Sequence, residues 1–309
     1  MNTIYYPAEN EWNSLLKRSA LKTDAIQETV SSILKQIKDE GDKAVLKFEE
    51  LFDKVQLSTL QVSSSEFEEA EKEVDKELKA AILLAHRNIT TFHAAQKFET
   101  KKITTQPGVT CWQKAVGIEK VGLYIPGGTA PLFSTVLMLA TPAQIAGCKE
   151  IILCTPPNRE GKVHPAILYA AQVSGVSRIY KIGGVQAIGA MAYGTESVPK
   201  VYKIFGPGNQ YVTVAKQQVS LHDVAIDMPA GPSEVAVLAD GTANPVFVAS
   251  DLLSQAEHGA DSQAILITPS EELLKQVEAE VVRQLEELPR KEIAQKALES
   301  SKLILVKDM

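Results

Sequence analysis

Apolar side chains at 26, 30, 33 and 37 fall three or four positions apart, the spacing that gathers them on one face of a helix. Gly41-Asp42 reads as a stop and a new start, after which Ala44, Val45, Phe48 and Leu51 continue the pattern. The serines at 63–65, followed by Glu68 and Glu69, offer a capping box. The helix they open carries Leu78, Ile82, Ala85, Ile89 and Phe92 on one stripe. Beyond residue 105 the texture changes to short apolar runs between helical segments. Strands are expected at 109–116, 121–125, 150–154, 178–182, 201–205 and 234–239. Helices are expected at 134–146, 164–174, 185–193 and 209–220. A helix near 245–257, a strand at 263–268, one or two further helices and a strand at 302–306 complete the pattern. Such alternation predicts an α/β fold whose parallel sheet is covered on both faces. The last strand is followed by only three residues. A parallel strand needs a crossover and a neighbour, so the pattern reads as stopping within a fold.

A length of 309 residues is long for one core and predicts two domains. No Gly/Ser linker separates them, so the boundaries are placed at strand ends. Residues 1–125 with 236–309 are expected to form one α/β domain that carries the N-terminal helices. Residues 126–235 form the second, nucleotide-binding-like one. A hydrophobic share of 45% and a charged share of 23% fit an ordinary soluble globular protein. The net charge of −6 gives no electrostatic reason to expect nucleic acid or an anionic membrane as partner. Residues 1–10 lack the basic start and apolar run of a secretory signal, and no apolar run approaches the ~20 residues that span a bilayer. Cys111, Cys148 and Cys154 have no CxxC spacing, so neither a disulfide framework nor a thiolate zinc site is indicated. A reducing cytoplasm is the expected address.

Four glycine-rich turns follow expected strands or open one. They read Ile125-Pro-Gly-Gly-Thr-Ala-Pro131, Ile182-Gly-Gly-Val-Gln-Ala-Ile188, Phe205-Gly-Pro-Gly-Asn209 and Met228-Pro-Ala-Gly-Pro-Ser-Glu234. Glycine lets a ligand approach the backbone, and ligands of open α/β sheets sit at the carboxyl ends of strands. Any α/β protein needs tight turns, so one such turn carries little weight. Several in succession, two with an amide beside the glycines (Gln186, Asn209), point to a ligand crevice. None matches GxGxxG, so a dinucleotide here would bind by another geometry. Tyr124, just before its turn, reads either as a core aromatic or as a ligand platform.

Leu252-Leu-Ser-Gln-Ala-Glu-His-Gly259 places Gln255 and His258 three apart near a helix end, on a shared face. A neutral imidazole is a good zinc ligand and a carboxamide oxygen an uncommon one. The bland reading makes His258 a helix C-terminal residue favoured by the dipole, with Gly259 as a left-handed cap. Spacing alone favours the bland reading. His86 and His93 fall on one helical stripe, His164 at a helix start and His222 in a loop, none in a ligand-like setting.

Taken together, these segments resemble the histidinol dehydrogenase family. The resemblance is carried by Thr91-Phe-His-Ala-Ala-Gln-Lys97, Gln106-Pro-Gly-Val109, Val121-Gly-Leu-Tyr-Ile-Pro-Gly-Gly128 and Pro131-Leu-Phe-Ser-Thr-Val-Leu-Met-Leu-Ala-Thr-Pro142. It continues through Gly183-Gly-Val-Gln-Ala-Ile188, Gly194-Thr-Glu-Ser-Val-Pro-Lys200 and Ile204-Phe-Gly-Pro-Gly-Asn209. It closes with Ala225-Ile-Asp-Met-Pro-Ala-Gly-Pro-Ser-Glu-Val235 and Ser250-Asp-Leu-Leu-Ser-Gln-Ala-Glu-His-Gly259.

The resemblance implies two Rossmann-like parallel-sheet domains in an aldehyde-dehydrogenase-like architecture, with an N-terminal helical extension. It implies zinc- and NAD-dependent oxidation of L-histidinol to L-histidine through an enzyme-held aldehyde. Tyr124, Gln186 and Asn209 match the family's NAD-contacting positions. Ser233 matches a substrate contact, while Gln255 and His258 match two zinc ligands that also face the substrate. A homodimer is implied as well. The family's Tyr-Gly-Pro-Glu-His segment, which supplies its acid/base pair, and its other two zinc ligands have no counterpart in these 309 residues. The resemblance therefore implies no catalytic residue within this chain and negligible turnover by it alone. A non-catalytic nucleotide- or small-molecule-binding module and a sister dehydrogenase of another amino- or sulfo-alcohol are the alternatives.

Overall fold

The computed structural model of the protein describes residues 1–17, 24–127, 131–229 and 234–308. Strand β1 (Asn2–Tyr5) and helix α1 (Glu9–Leu15) come first. Helices α2 (Asp24–Glu40) and α3 (Asp42–Phe48) follow, then a π-helical turn at Glu49–Asp53, α4 (Ser64–Glu73) and α5 (Lys76–Ala94). Strands β2 (Lys102–Gln106) and β3 (Val109–Trp112) precede the alternating region. There β4 (Lys120–Tyr124), α6 (Phe133–Ile145), β5 (Glu150–Thr155), α7 (Pro165–Val173) and β6 (Arg178–Lys181) run in succession. Next come α8 (Gly184–Tyr193), β7 (Lys203–Phe205), α9 (Gln210–Ser220) and β8 (Ala225–Ile226). The chain closes with β9 (Glu234–Leu238), α10 (Pro245–Ala256), β10 (Gln263–Thr268), α11 (Glu271–Leu285), α12 (Lys291–Ser300) and β11 (Lys302–Leu305).

The described residues form two compact units, one made of those between 22 and 229 and the other of those before and after. This division differs from the boundaries expected near 125 and 236. The reason is packing: the apolar stripe of α2 does not serve the terminal sheet. Val30, Ile33, Leu34 and Ile37 share a core with Val185, Ile188 and Met191 of α8. Ile82 of α5 is buried with Val136 and Leu137 of α6.

In the 22–229 unit five parallel strands lie in the order β6-β5-β4-β7-β8. Strand residues alternate between two cores, as the period of two requires. Val121, Leu123, Ile151, Leu153 and Ile179 face the core built with α4 to α7. Tyr124, Ile152, Cys154, Tyr180 and Ile204 face the one built with α2, α3, α8 and α9. The order runs outward from β4 to β6 on one side, then returns to the centre at β7. The sheet therefore reverses direction between β4 and β7, leaving a crevice at their carboxyl ends. In the same unit, β2 and β3 form a separate antiparallel, wholly exposed pair. It replaces the longer strand expected at 109–116.

The other unit is a parallel sheet in the order β1-β11-β10-β9. Its core joins Leu252 and Leu253 of α10 to Leu274 and Val277 of α11 and to Leu303 and Leu305 of β11. Strand β11, read from the sequence as lacking a neighbour, has β1 on one side and β10 on the other. Two local expectations also change. The capping box at Ser63 uses Glu66, whose carboxylate accepts from the Ser63 backbone N–H at 2.8 Å, and not Glu68 or Glu69. The single long helix expected through residue 92 is broken at Val74, and Asp75 caps α5 by accepting from Leu78 N–H at 2.8 Å.

Candidate functional site

Tyr124, Gln186 and Asn209, read separately from the sequence, line one crevice of about 1130 Å³ within the 22–229 unit. Each reaches it by its place at a strand end. Tyr124 is the last residue of β4, Gln186 lies in the first turn of α8 after β6, and Asn209 caps α9 after β7. Prolines 126, 131, 156 and 157 form a stiff apolar wall beside them.

The three polar groups are already committed in complementary ways. Asn209 accepts with its side-chain oxygen from the backbone N–H groups of Tyr211 (3.0 Å) and Val212 (3.1 Å), which leaves its NH₂ as a donor. The Tyr124 hydroxyl accepts from Gly184 N–H at 3.0 Å, so its own proton is free to be given. Burial pushes that phenol well above its ordinary value and keeps it neutral. Gln186 does the opposite. Its Nε2 donates to Glu49 Oε1 at 2.9 Å and to Asp53 Oδ2 at 3.3 Å, while its Oε1 is buried with no partner. Gln186 thus offers an acceptor only.

Glu49 and Asp53 are site residues that the sequence pattern does not single out. Glu49 is fully buried, and its Oε1 also accepts from Gly183 N–H at 3.0 Å. Burial, then the Asp53 carboxylate, raise its pKa to about 8. Glu49 thus favours its protonated form at neutral pH, and burial raises the carboxyl of Asp53, which lines the crevice, as well. A signal exists: Glu49 lies one helical turn after buried Val45, on the apolar face and not the solvated one.

The turn before Asn209 is held from below. Gly206 has a φ of +134°, and a Cβ there would stand 2.1 Å from the Tyr124 carbonyl oxygen. Lys216 Nζ donates to Gly206 O at 2.8 Å and pairs with Asp227, whose Oδ2 accepts from Gly206 N–H at 2.9 Å.

Gln255 and His258 belong to the other unit, at the end of α10. His258 is exposed, and its backbone N–H donates to Gln255 O at 3.2 Å. Gly259, expected as a left-handed cap, does not adopt a positive φ; the helix ends on Glu257 instead. Gln255 Nε2 is buried without a partner, so its amide has an unmet polar contact. That nitrogen carries hydrogens and cannot ligate a cation, so of this pair only the Gln255 side-chain oxygen and the His258 imidazole have the chemistry of metal donors. No group of three or more His, Cys, Asp or Glu with metal-binding geometry occurs among the described residues. Ser233 lies outside the described residues. Among the described residues, no helix is long and apolar enough to cross a membrane.

Parallel strands, a crevice at their point of reversal and a ring of fixed donors and acceptors define an α/β protein with a pocket at the carboxyl ends of its strands. A sequence profile of the histidinol dehydrogenase family matches residues 16–309. The histidinol dehydrogenase of Bacteroides thetaiotaomicron is 70% identical over 309 residues, covering 100% of this chain and 72% of that protein. That of Escherichia coli K12 is 54% identical over 310 residues, covering 97% of this chain and 70% of that protein. The crystal structure of histidinol dehydrogenase from Elizabethkingia anophelis superposes with a TM-score of 0.97 at 54% identity, covering 100% of this chain and 71% of that one. The chain belongs to the histidinol dehydrogenase family, oxidoreductases of histidine biosynthesis.

Proposed function

We propose that the protein serves the NAD-dependent, two-step oxidation of L-histidinol to L-histidine through the aldehyde, with NAD held in the crevice of the 22–229 unit. The observation that carries this reading is the convergence of Tyr124, Gln186 and Asn209 on one crevice at the sheet's reversal point. The strand order β6-β5-β4-β7-β8 supports a Rossmann-like reading of that unit even without GxGxxG.

The roles of the residues follow from what each has left to offer. Asn209 NH₂ and the Tyr124 hydroxyl donate, so they suit phosphate or carbonyl oxygens. Gln186 Oε1 accepts, so it suits a hydroxyl or amide N–H. The proline wall excludes water from one face of a flat ring. These contacts orient the dinucleotide, and orientation is what a hydride transfer most needs from its protein. Gln255 and His258 would hold a zinc ion together with further donors, and the family resemblance gives Ser233 a substrate contact. When bound, zinc supplies Lewis-acid anchoring of the substrate's nitrogen atoms. The acid/base groups are not assigned to residues of this chain.

Phe92, Ile103 and Trp112 expose large apolar side chains on α5 and the β2–β3 pair, which supports a homodimer. Family membership across the whole chain gives a bare binding module or a sister dehydrogenase no observation of its own. Calorimetric titration of the 309-residue protein with NAD tests the reading. One site per chain is expected, lost when Gln186→Ala and Tyr124→Phe are combined in a protein that still folds. Absence of heat with the unmodified protein rejects it.

A further inference from the structure

The connection from α10 to β10, residues 257–262, carries the His258 imidazole, and α12 holds it at both ends. Helix α12 lies against the end of α10 because the residues between them are small. Ala256, Ala294 and Ala297 are wholly buried in one core. From the start of α12, Arg290 donates through Nη1 to the Glu257 carbonyl at 3.3 Å. From its end, the Ser300 hydroxyl donates to the Ser262 carbonyl at 3.2 Å. Within the connection, Ser262 N–H donates to Gly259 O at 3.0 Å.

The Arg290 contact acts on a single peptide group. The Glu257 carbonyl and the His258 N–H belong to one planar unit. Arg290 binds its oxygen, and Gln255 O accepts from its N–H at 3.2 Å. A peptide plane held at both ends resists rotation, so the direction in which the His258 side chain leaves the backbone is set. The same N–H bond ties His258 to residue 255, whose side chain carries the other donor oxygen. A guanidinium suits this place. It bonds a carbonyl that the helix end leaves unmatched, and its charge meets the negative end of the α10 dipole.

Resting on the reading of Gln255 and His258 as metal donors, we infer that Arg290 is the positioning residue of that pair. A guanidinium offers donors only, so Arg290 cannot itself ligate a cation. It acts through the peptide from which the imidazole projects. His258 is exposed and lies beyond the last residue of α10. Without support its backbone would sample several orientations, and ordering it on binding would cost affinity. The contacts behind a donor thus govern how tightly the metal is held.

The test uses the 309-residue protein, Arg290→Met and Arg290→Lys. Amide hydrogen exchange is measured on each, with a zinc titration read at the His258 imidazole resonances. In Arg290→Met the His258 amide should exchange about tenfold faster, while Leu252 and Leu253 within α10 keep their rates. Its zinc affinity should fall about tenfold. Lysine keeps the charge and a donor, so Arg290→Lys should return both quantities to within about threefold of the unmodified protein. A plain helix cap would instead lower overall stability, speeding all α10 amides together and leaving the zinc affinity of the folded chain unchanged. That pattern overturns the inference, as does an unaltered His258 amide rate in Arg290→Met. Should Arg290→Met fail to fold by circular dichroism, Arg290→Gln, polar but shorter, takes its place with the same outcomes. If zinc leaves the His258 resonances of the unmodified protein unmoved, the metal reading itself falls, and the role of Arg290 with it.

Discussion

Lys216 and Asp227 between them hold both backbone polar atoms of Gly206, the ammonium taking its carbonyl and the carboxylate its N–H. Lys216 is buried and Asp227 partly so, and the turn they clamp ends at Asn209. Removing one partner leaves the other charge without its complement and a backbone carbonyl unbonded. Lys216→Met is therefore expected to lower stability by about 3 kcal/mol. It should also weaken NAD binding, because the turn that presents Asn209 loses its support. Urea denaturation and calorimetry on the same preparation check both; full stability in the variant would show that the clamp is ornamental.

Glu49 gives the protein a pH dependence of definite sign. Burial and the Asp53 carboxylate raise its pKa from 4.5 to about 8 in the folded state. The folded chain thus keeps a proton that the unfolded chain releases. Stabilisation from this source is complete below pH 4.5 and is lost as pH rises through about 8. Glu49→Gln carries no such proton and retains a carbonyl to accept from Gly183 and Gln186. Its denaturation midpoint should vary less between about pH 5 and about pH 8 than that of the unmodified protein, by an amount on the order of a kcal/mol or more. Parallel slopes over that window would show that Glu49 is ionised throughout.

Much of this arrangement is readable from the residues, and the boundary of what is readable is physical. Strands such as β5 and β10 and helices such as α8 and α9 appear within a residue or two of expectation, because burial on both faces writes a continuous apolar run and an amphipathic stripe. The turns at the strands' carboxyl ends mark the crevice. Strand β1 escapes because its pairing with β11 spans nearly the whole chain, and its short alternation of exposed and half-buried positions carries no clear pattern. The break between α4 and α5 escapes because Phe67, Leu78, Ile82 and Ile89 stay in one core on both sides of it. Glu49 and Asp53 escape for a different reason. They stand with Glu50 between Lys47 and Lys54, and in such company a buried acid looks like one more solvated charge. The one local hint is the place of Glu49 a helical turn after Val45, and its partners, the Gly183 N–H and the Gln186 amide, lie 134 and 137 positions away.

Asn209 has two jobs that a single substitution separates. Its oxygen caps α9, and its NH₂ faces the crevice. Aspartate in this position would keep an oxygen for the cap, since aspartate and asparagine cap equally well, and would add a favourable charge at the helix start. It removes the side chain's donor. Asn209→Asp is expected to leave stability within about 0.5 kcal/mol while weakening NAD binding about tenfold. Asn209→Ala should lose both, with about 1 kcal/mol of stability gone. Equal NAD affinity in the aspartate variant would reduce Asn209 to a helix cap.

The metal assignment can be tested without turnover, because the five histidines differ in what they have free. His164 uses Nδ1 to accept from Ala166 N–H at 3.2 Å at the start of α7. His93 stacks edge-on against Phe92. His258 is exposed, one helical turn from an amide whose buried nitrogen has no partner. A half-turn of that amide presents its oxygen on the same face, giving one N and one O donor of the kind zinc accepts. Two donors bind more weakly than a full shell, so the expected outcome is selective perturbation and not tight retention. In a zinc titration followed by NMR, the His258 imidazole resonances should shift first, and a chelator should restore them. Gln255→Ala should reduce that shift while leaving His86, His93 and His222 unaffected. Should all accessible imidazoles respond alike, proximity on α10 would be no more than helical spacing.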